Sequence, residues 1–246
     1  MNNRNGQTRA IESFDFVSGR VLARKYEVLS RLGVGWEGEV YRLREVRTGI
    51  ERAAKFFYPQ RNVRDKAVVF YAKKLHKLQH CPIVIQYRTQ EHIQYRGVPI
   101  TFLVSDYVEG ELLSVFLSRQ RGQRLTVFEG LHLLHALATG VERIHQLREY
   151  HGDLHSENVI VRRRGIGFDL NLIDMFHWVA PRKENIYDDV CDLVRLFYDA
   201  IGGQKHYANQ PQVVKKVCCG LKRSLITKRF RTAGRLREYL ENLEWE

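Results

Sequence analysis

The stretch His151-Gly152-Asp153-Leu154-His155-Ser156-Glu157-Asn158 sets an aspartate and an asparagine five residues apart in a polar connector. Upstream, Val127–Gln146 carries apolar residues at helical spacing. Downstream, the β-branched run Val159-Ile160-Val161 begins a strand. A helix, a polar loop and a hairpin thus follow one another, and the loop presents a carboxylate and an amide from a fixed frame. The hairpin is expected over 159–173, turning at Gly165-Ile166-Gly167. Its second arm ends in Leu172-Ile173-Asp174-Met175-Phe176. An aspartate leaving an apolar strand is costly to desolvate unless it meets a cation or donors, so Asp174 reads as a metal-facing carboxylate.

Nearer the N-terminus the pattern is strand-like. Tyr26-Glu27-Val28-Leu29 leads into Gly33-Val34-Gly35-Trp36-Glu37-Gly38-Glu39-Val40, and a second strand continues through Leu43. Glycines at 33, 35 and 38 let backbone N–H groups approach phosphate oxygens without Cβ interference, and Val40 is placed to cover a base. Because strands flank the motif, a dinucleotide-binding turn is disfavoured, since that requires a helix directly afterwards. A third strand near 53–58 carries Ala53-Ala54-Lys55, a small residue and an inward lysine suited to phosphate charge. Val68, Tyr71, Leu75 and Leu78 give residues 63–79 helical spacing, with Lys73, Lys74 and Lys77 mostly on its outer face. Strands around 84–95 and 100–107 follow, the latter breaking at Ser105-Asp106-Tyr107-Val108 into a polar connector. Helices are expected over Leu112–Arg119 and through most of the last seventy-odd residues.

The chain has 246 residues, 44% hydrophobic and 28% charged, which suits one large domain or two small lobes. No apolar run reaches the length of a membrane-spanning helix, and residues 1–25 lack the core of a signal peptide. Cys81, Cys191, Cys218 and Cys219 form no CxxC pair and no zinc spacing, so reduced thiols and a cytoplasmic location are expected. The net charge of +12 favours an acidic partner: nucleotide, nucleic acid or an anionic membrane surface. Arg162-Arg163-Arg164, together with lysines and arginines at 215–231, is a candidate docking face.

Taken in order, these segments resemble the eukaryotic-type protein kinase family from about Tyr26 to Leu243. Asp189-Val190-Cys191-Asp192-Leu193, with Gly202-Gly203 beyond it, is similar to the family's central helix, whose leading aspartate braces the catalytic loop. The resemblance implies an α+β, two-lobed protein kinase-like fold. Its small lobe would be a five-stranded antiparallel sheet plus one helix over 26–105, preceded by a basic flexible arm at 1–25. The hinge and larger helical lobe would span 106–246. It further implies an ATP- and magnesium-dependent phosphotransferase, most readily a serine/threonine protein kinase. Asp153 would orient and deprotonate the acceptor hydroxyl, His155 would offset phosphoryl charge, and Asn158 and Asp174 would hold magnesium. Gly33, Gly35, Gly38, Val40, Ala53 and Lys55 would bind the nucleotide, and Asp106 and Val108 would read adenine through their backbones.

The sequence departs from that family in four places. Tyr71 stands where a helix glutamate should pair with Lys55; Glu37, Glu39 and Asp174 are the replacement acids that sequence order permits. Gly152 replaces the arginine that clamps a phosphorylated activation loop. His155 replaces a lysine, making Gly-Asp-Leu-His similar to aminoglycoside and choline kinases. Asp189 follows only fifteen positions after Asp174, so the activation segment is nearly absent. A small-molecule kinase and a nucleotide-binding scaffold without turnover are the competing readings.

Overall fold

The computed structural model describes residues 10–175 and 180–244. The chain forms two compact units, one running to His76 and resuming at Gln86–Tyr107, the other made of Lys77–Ile85 and Val108 onward. The architecture is α+β, a sheet-rich unit and a helical one.

In the first unit the strands are β1 (Val21–Leu22), β2 (Tyr26–Val34), β3 (Gly38–Glu45) and β4 (Glu51–Phe57). After helix α1 (Lys66–Lys77) come β5 (Tyr87–Tyr95) and β6 (Val98–Asp106). They make an antiparallel sheet in the order β1-β2-β3-β4-β6-β5, six strands rather than five because Val21–Leu22 pairs with the start of β2. Register decides which residues share a face. Val40 pairs with Lys55 and Lys55 with Leu103, while Ala53 pairs with Ser105. Val40, Ala53 and Lys55 therefore stand on one face. The opposite face carries Tyr41, Ala54, Phe56, Phe102 and Val104, all buried in one core.

That core includes residues expected to be a loose arm. Residues 1–9 lie outside those described, but from Ile11 onward the segment is a packed strap, with Ile11, Phe14, Phe16 and Leu22 buried. The Phe14 ring lies 5.4 Å from those of Phe16 and Tyr58 and 5.6 Å from that of Tyr95. Glu39 anchors the strap from beneath. It is fully buried and accepts hydrogen bonds from the Phe14 N–H (2.9 Å), the Tyr58 hydroxyl (3.1 Å) and the Tyr41 hydroxyl. Burial and the Glu39 charge push the Tyr58 phenol up to about 12, so it stays a donor across the neutral range. Polar side chains around two phenylalanines disguised this segment; what orders it is a partner strand 25 residues away.

The second unit opens with β7 (Glu111–Leu112), α2 (Leu113–Ser118) and the long α3 (Val127–Gln146). Thr126 and Glu129 close a reciprocal cap at the start of α3. The hairpin β8 (Val159–Arg164) and β9 (Gly167–Leu172) adds to β7 in a three-stranded sheet. Helices α4 (Lys183–Ala200), α5 (Gly203–Tyr207), α6 (Gln212–Cys218), α7 (Arg223–Arg229) and α8 (Ala233–Glu241) complete it. Residues 77–85 belong here because the Leu172 N–H donates to Ile83 O (2.6 Å) and Val84 bridges Leu172. The expected strand beginning at 84 consequently starts at Tyr87, and the boundary expected after 105 falls after Tyr107. Of the three lysines expected mostly on the outer face of α1, Lys74 is buried.

Replacing Phe14 by alanine should lower stability to urea by roughly 3–5 kcal/mol, the cost of emptying a packed aromatic site. A change below about 1 kcal/mol would show that the strap lies outside the core.

Candidate functional site

In the first unit, the turn between β2 and β3 is Gly35-Trp36-Glu37-Gly38, closed by the Gly35 N–H donating to Gly38 O (2.8 Å). Its glycines have different reasons. A Cβ on Gly38 would lie 1.8 Å from Phe56 O, so close backbone approach to β4 requires glycine there. Gly33 has nothing within 4 Å of a built Cβ, and Gly35 meets only Gly38 O at 3.9 Å. Neither has a positive φ, so the fold itself does not require glycine at these two positions. Trp36 is exposed, with the Arg61 guanidinium over its ring at 4.2 Å.

Lys55 lies on the Val40–Ala53 face. Its Nζ is 2.9 Å from Glu37 Oε2, with both side chains about 15% exposed (15% and 14%). The Tyr71 ring centroid is 4.9 Å from the same Nζ and that of Phe57 is 5.4 Å away. Tyr71 is thus placed beside the lysine, and the carboxylate comes from the glycine turn instead of the helix. The Tyr58 N–H donates to Glu37 O (2.9 Å), fixing the backbone that delivers this acid. At the end of β6, Asp106 is held by Arg88 through Nε (2.8 Å) and Nη2 (2.5 Å), and also by Arg52. Arg88 foremost, with Arg52, keeps its carboxyl below the usual carboxylate range. The Asp106 N–H donates to Gln86 O (3.0 Å), so its side chain and its N–H are both committed within the unit. Val108 sits in the irregular stretch between β6 and β7.

The second unit holds the connector between α3 and β8. Asp189 on α4 is fully buried and accepts from the His151 N–H (2.8 Å) and the Gly152 N–H (2.7 Å), with His145 Nε2 2.9 Å away. Gly152 has φ +82°, a left-handed conformation that strains any side chain, which accounts for glycine where an arginine was expected by resemblance. His151 is buried. Its Nδ1 accepts from the Asp153 N–H (3.3 Å), so Nε2 carries the proton and donates to Ile173 O (3.1 Å). That makes it a structural brace.

Asp153, His155 and Asn158 converge. Asn158 Nδ2 donates to Asp153 O (2.9 Å) and Oδ2 (3.0 Å) and lies 3.0 Å from His155 Nε2. His155 Nε2 is 3.5 Å from Asp153 Oδ2, and its Nδ1 accepts from the Glu157 N–H (3.3 Å). The Ile173 N–H donates to Asn158 O (3.1 Å), which sets Asp174, at φ +52°, next along the chain from a residue bonded to Asn158. With Asn158's amide hydrogens given to Asp153, its Oδ1 is the atom left for a cation. Amide and carboxylate oxygens suit a hard ion such as magnesium. Among the described residues no group of three or more His, Cys, Asp or Glu is placed to hold a metal. Helix α4 begins nine positions after Asp174, so the short activation segment holds, although the Phe176 position lies outside the described residues. Tyr187, the hydroxyl available in that interval, is inside α4.

Two contributors escaped the sequence. His145 has a polar partner in Asp189 that only the fold supplies. Asp192, one turn beyond Asp189 and so on the same face of α4, has its carboxyl pushed up to about 6 by burial first, then by Asp189, Asp188 and Asp153, with His155 opposing. The three-residue spacing from Asp189 was the available signal.

Residues 26–185 match the model of the protein kinase domain. A putative cyclin-dependent kinase F-2 of Oryza sativa subsp. japonica is 29% identical over 61% of this chain and 46% of its own length. A probable serine/threonine-protein kinase of Bacillus subtilis, YbdM, is 22% identical over 91% of both chains. The chain spans about half the length or less of several curated relatives it matches, such as calcium-dependent protein kinase 4 of Plasmodium falciparum (42%). Among solved structures, a doubly substituted form of the PknI kinase domain of Mycobacterium tuberculosis aligns with TM-score 0.66 at 18% identity, covering 92% of this chain and 98% of that one.

Because Asp192 has a raised carboxyl in the folded state, its ionisation opposes folding. That cost is fully present above about pH 6 and fades as pH falls towards the ordinary carboxylate value of 3.8. Asp192→Asn should therefore raise the melting temperature at pH 8, by a stabilisation of roughly 1–3 kcal/mol, and progressively lose that advantage at acid pH. An equal effect at pH 8 and pH 4 would contradict the assignment.

Proposed function

We propose that this chain, which belongs to the protein kinase domain family, transfers the γ-phosphoryl group of ATP to serine or threonine hydroxyls of a protein. The observation that carries the reading is the convergence of Asp153, His155 and Asn158 on a loop held by buried Asp189. Asp153 orients the acceptor hydroxyl and takes its proton. His155 stands beside that carboxylate, with Nε2 3.5 Å from Asp153 Oδ2, and offsets phosphoryl charge through its ring N–H. Asn158 and Asp174 hold magnesium, which neutralises phosphate charge when bound. Lys55 grips the phosphates, aided by N–H groups at Gly33 and Gly35, while Val40 and Ala53 flank the base. Gly38 serves the sheet. Asp106 and Val108 read adenine through the backbone; with the Asp106 N–H committed, its contribution is the carbonyl. Catalysis of this kind is positioning and electrostatics more than covalent chemistry.

Glu37 takes the part of the missing helix glutamate, as its 2.9 Å pair with Lys55 supports. That pairing weakens the case for a scaffold without turnover, which rested on Tyr71. A small-molecule acceptor is the second reading, favoured by the eight residues between Asp174 and α4.

Asp153→Ala should abolish transfer to protein while sparing nucleotide binding, and Asp174→Ala should weaken magnesium-ATP binding itself. Lys55→Ala and Glu37→Gln should each lower kcat/KM by about tenfold or more, with Tyr71→Glu neutral or activating. Phosphatase treatment should leave the rate unchanged. Radiolabel transfer to a panel of proteins, aminoglycosides and choline, followed by mass spectrometry of the product, checks all of these. Undiminished turnover by Asp153→Ala would remove the catalytic assignment.

A further inference from the structure

The positive charge of this chain is concentrated. Residues 200–237 contain ten lysines and arginines and no aspartate or glutamate, while the remaining 208 residues carry 30 cations against 28 anions. Nearly all of the net +12 therefore resides in 38 consecutive residues of the second unit. The hairpin arginines, which also looked like a docking face, are neutralised. Arg162 pairs with Glu109 (2.8 Å), Arg163 with Glu129 (2.7 Å) and Arg164 with Asp169 (3.4 Å).

Within 200–237, Arg223 pairs with Asp188, Arg235 with Glu238, and Arg237 with Glu142 and Glu241. Lys205, Lys216, Lys222, Lys228 and Arg231 are exposed, and their side chains meet no acid among the described residues. Lys222 caps α7, and Lys222, Leu225 and Lys228 follow at three-residue spacing along its exposed side, with Leu225 47% exposed. Helix α7 is tied to α4 by the Arg223–Asp188 pair at 2.7 Å. Asp188 directly precedes Asp189, which holds the backbone of His151 and Gly152 ahead of Asp153. The free cations and the acceptor-binding loop are thus joined through one end of one helix.

We propose that this face docks an acidic segment of the protein substrate. The inference rests on the protein kinase reading above and gives it a substrate class. Two observations choose an acidic polypeptide over nucleic acid or lipid. The segment that usually seats a substrate is reduced to eight residues before α4, so the acceptor needs another hold on the same unit. The face also offers one exposed leucine and no exposed aromatic ring, too little for base stacking or membrane insertion. Unpaired lysines matched by carboxylates raise encounter rate and lower KM without touching the chemistry.

The test uses the full chain and the variant Lys222→Glu/Lys228→Glu/Arg231→Glu. The corresponding triple glutamine variant removes the charge without reversing it, and melting temperature confirms that both variants fold. Dephosphorylated β-casein serves as acidic acceptor, histone H1 as basic acceptor, and poly(U) and phosphatidylserine vesicles as competing polyanions. Binding of labelled casein should weaken by about tenfold or more in the charge-reversed protein and fall steeply between about 50 mM and 300 mM salt in the unmodified one. The KM for casein should rise with kcat retained, and autophosphorylation and histone turnover should stay unchanged. Equal casein affinity and KM in both proteins would overturn the proposal. So would tight, charge-dependent binding of poly(U) or vesicles without binding of casein. Charge-dependent casein binding with no phosphate transfer to any acceptor would sustain the docking face while defeating the kinase reading.

Discussion

A buried carboxylate cannot stand in a protein interior without donors, and a tight loop cannot bury N–H groups without acceptors. Asp189 satisfies both requirements at once. Its two oxygens take the His151 and Gly152 N–H groups, and His145 adds a third partner from α3. Removing either side would orphan the other at a cost of roughly 2–4 kcal/mol. The consequence is a loop whose shape is set by α3 and α4, two of the longest elements in the unit, and not by whatever follows Asp174. That arrangement explains how Asp153, His155 and Asn158 can converge although α4 starts only nine positions beyond Asp174.

The lysine on β4 follows a different logic. A helix glutamate would couple its position to the orientation of α1. Here the acid is Glu37, and its backbone is bonded to Tyr58 at the end of β4's own continuation. The ion pair is therefore internal to the β2–β3–β4 sheet, and Tyr71 contributes an aromatic face where a charge was expected. The glycine turn thus contributes to positioning the lysine. Beneath the same strand, Glu39 ties the strap at residues 11–20 to the opposite face. Two consecutive odd-numbered glutamates on one turn and strand thus secure opposite sides of one sheet, since Glu37 sits in the turn and Glu39 enters the pleat pointing away from Lys55.

Legibility from sequence followed the range of the interaction. The octet, the hairpin after it and the strand order upstream were readable because periodicity and turn residues act locally. Strand register then carried Val40, Ala53 and Lys55 onto a shared face, which alternation alone anticipates. The strap was not readable: Phe14 and Phe16 sit among polar residues, and their partners are Tyr41, Phe56 and Tyr95, far along the chain. Glycine counting also blurred two causes, since Gly38 answers to Phe56 O while Gly33 and Gly35 answer to nothing within the chain. Sequence order offered three acids for Lys55, and only geometry shows that Glu37 stands 2.9 Å from it.

Charge shows the same division between what composition states and what arrangement decides. A net +12 is a statement about the far field and names no surface. Three consecutive arginines on a hairpin look like its source, yet each has an acid within 3.4 Å and contributes little beyond its own pair. The cations that matter are spread singly over 205–231, where the chain offers no acid of its own. An unpaired lysine costs little in water, so nothing in folding demands such a distribution; with the residues between Asp174 and α4 so few, a hold on an acidic acceptor gives it a physical purpose.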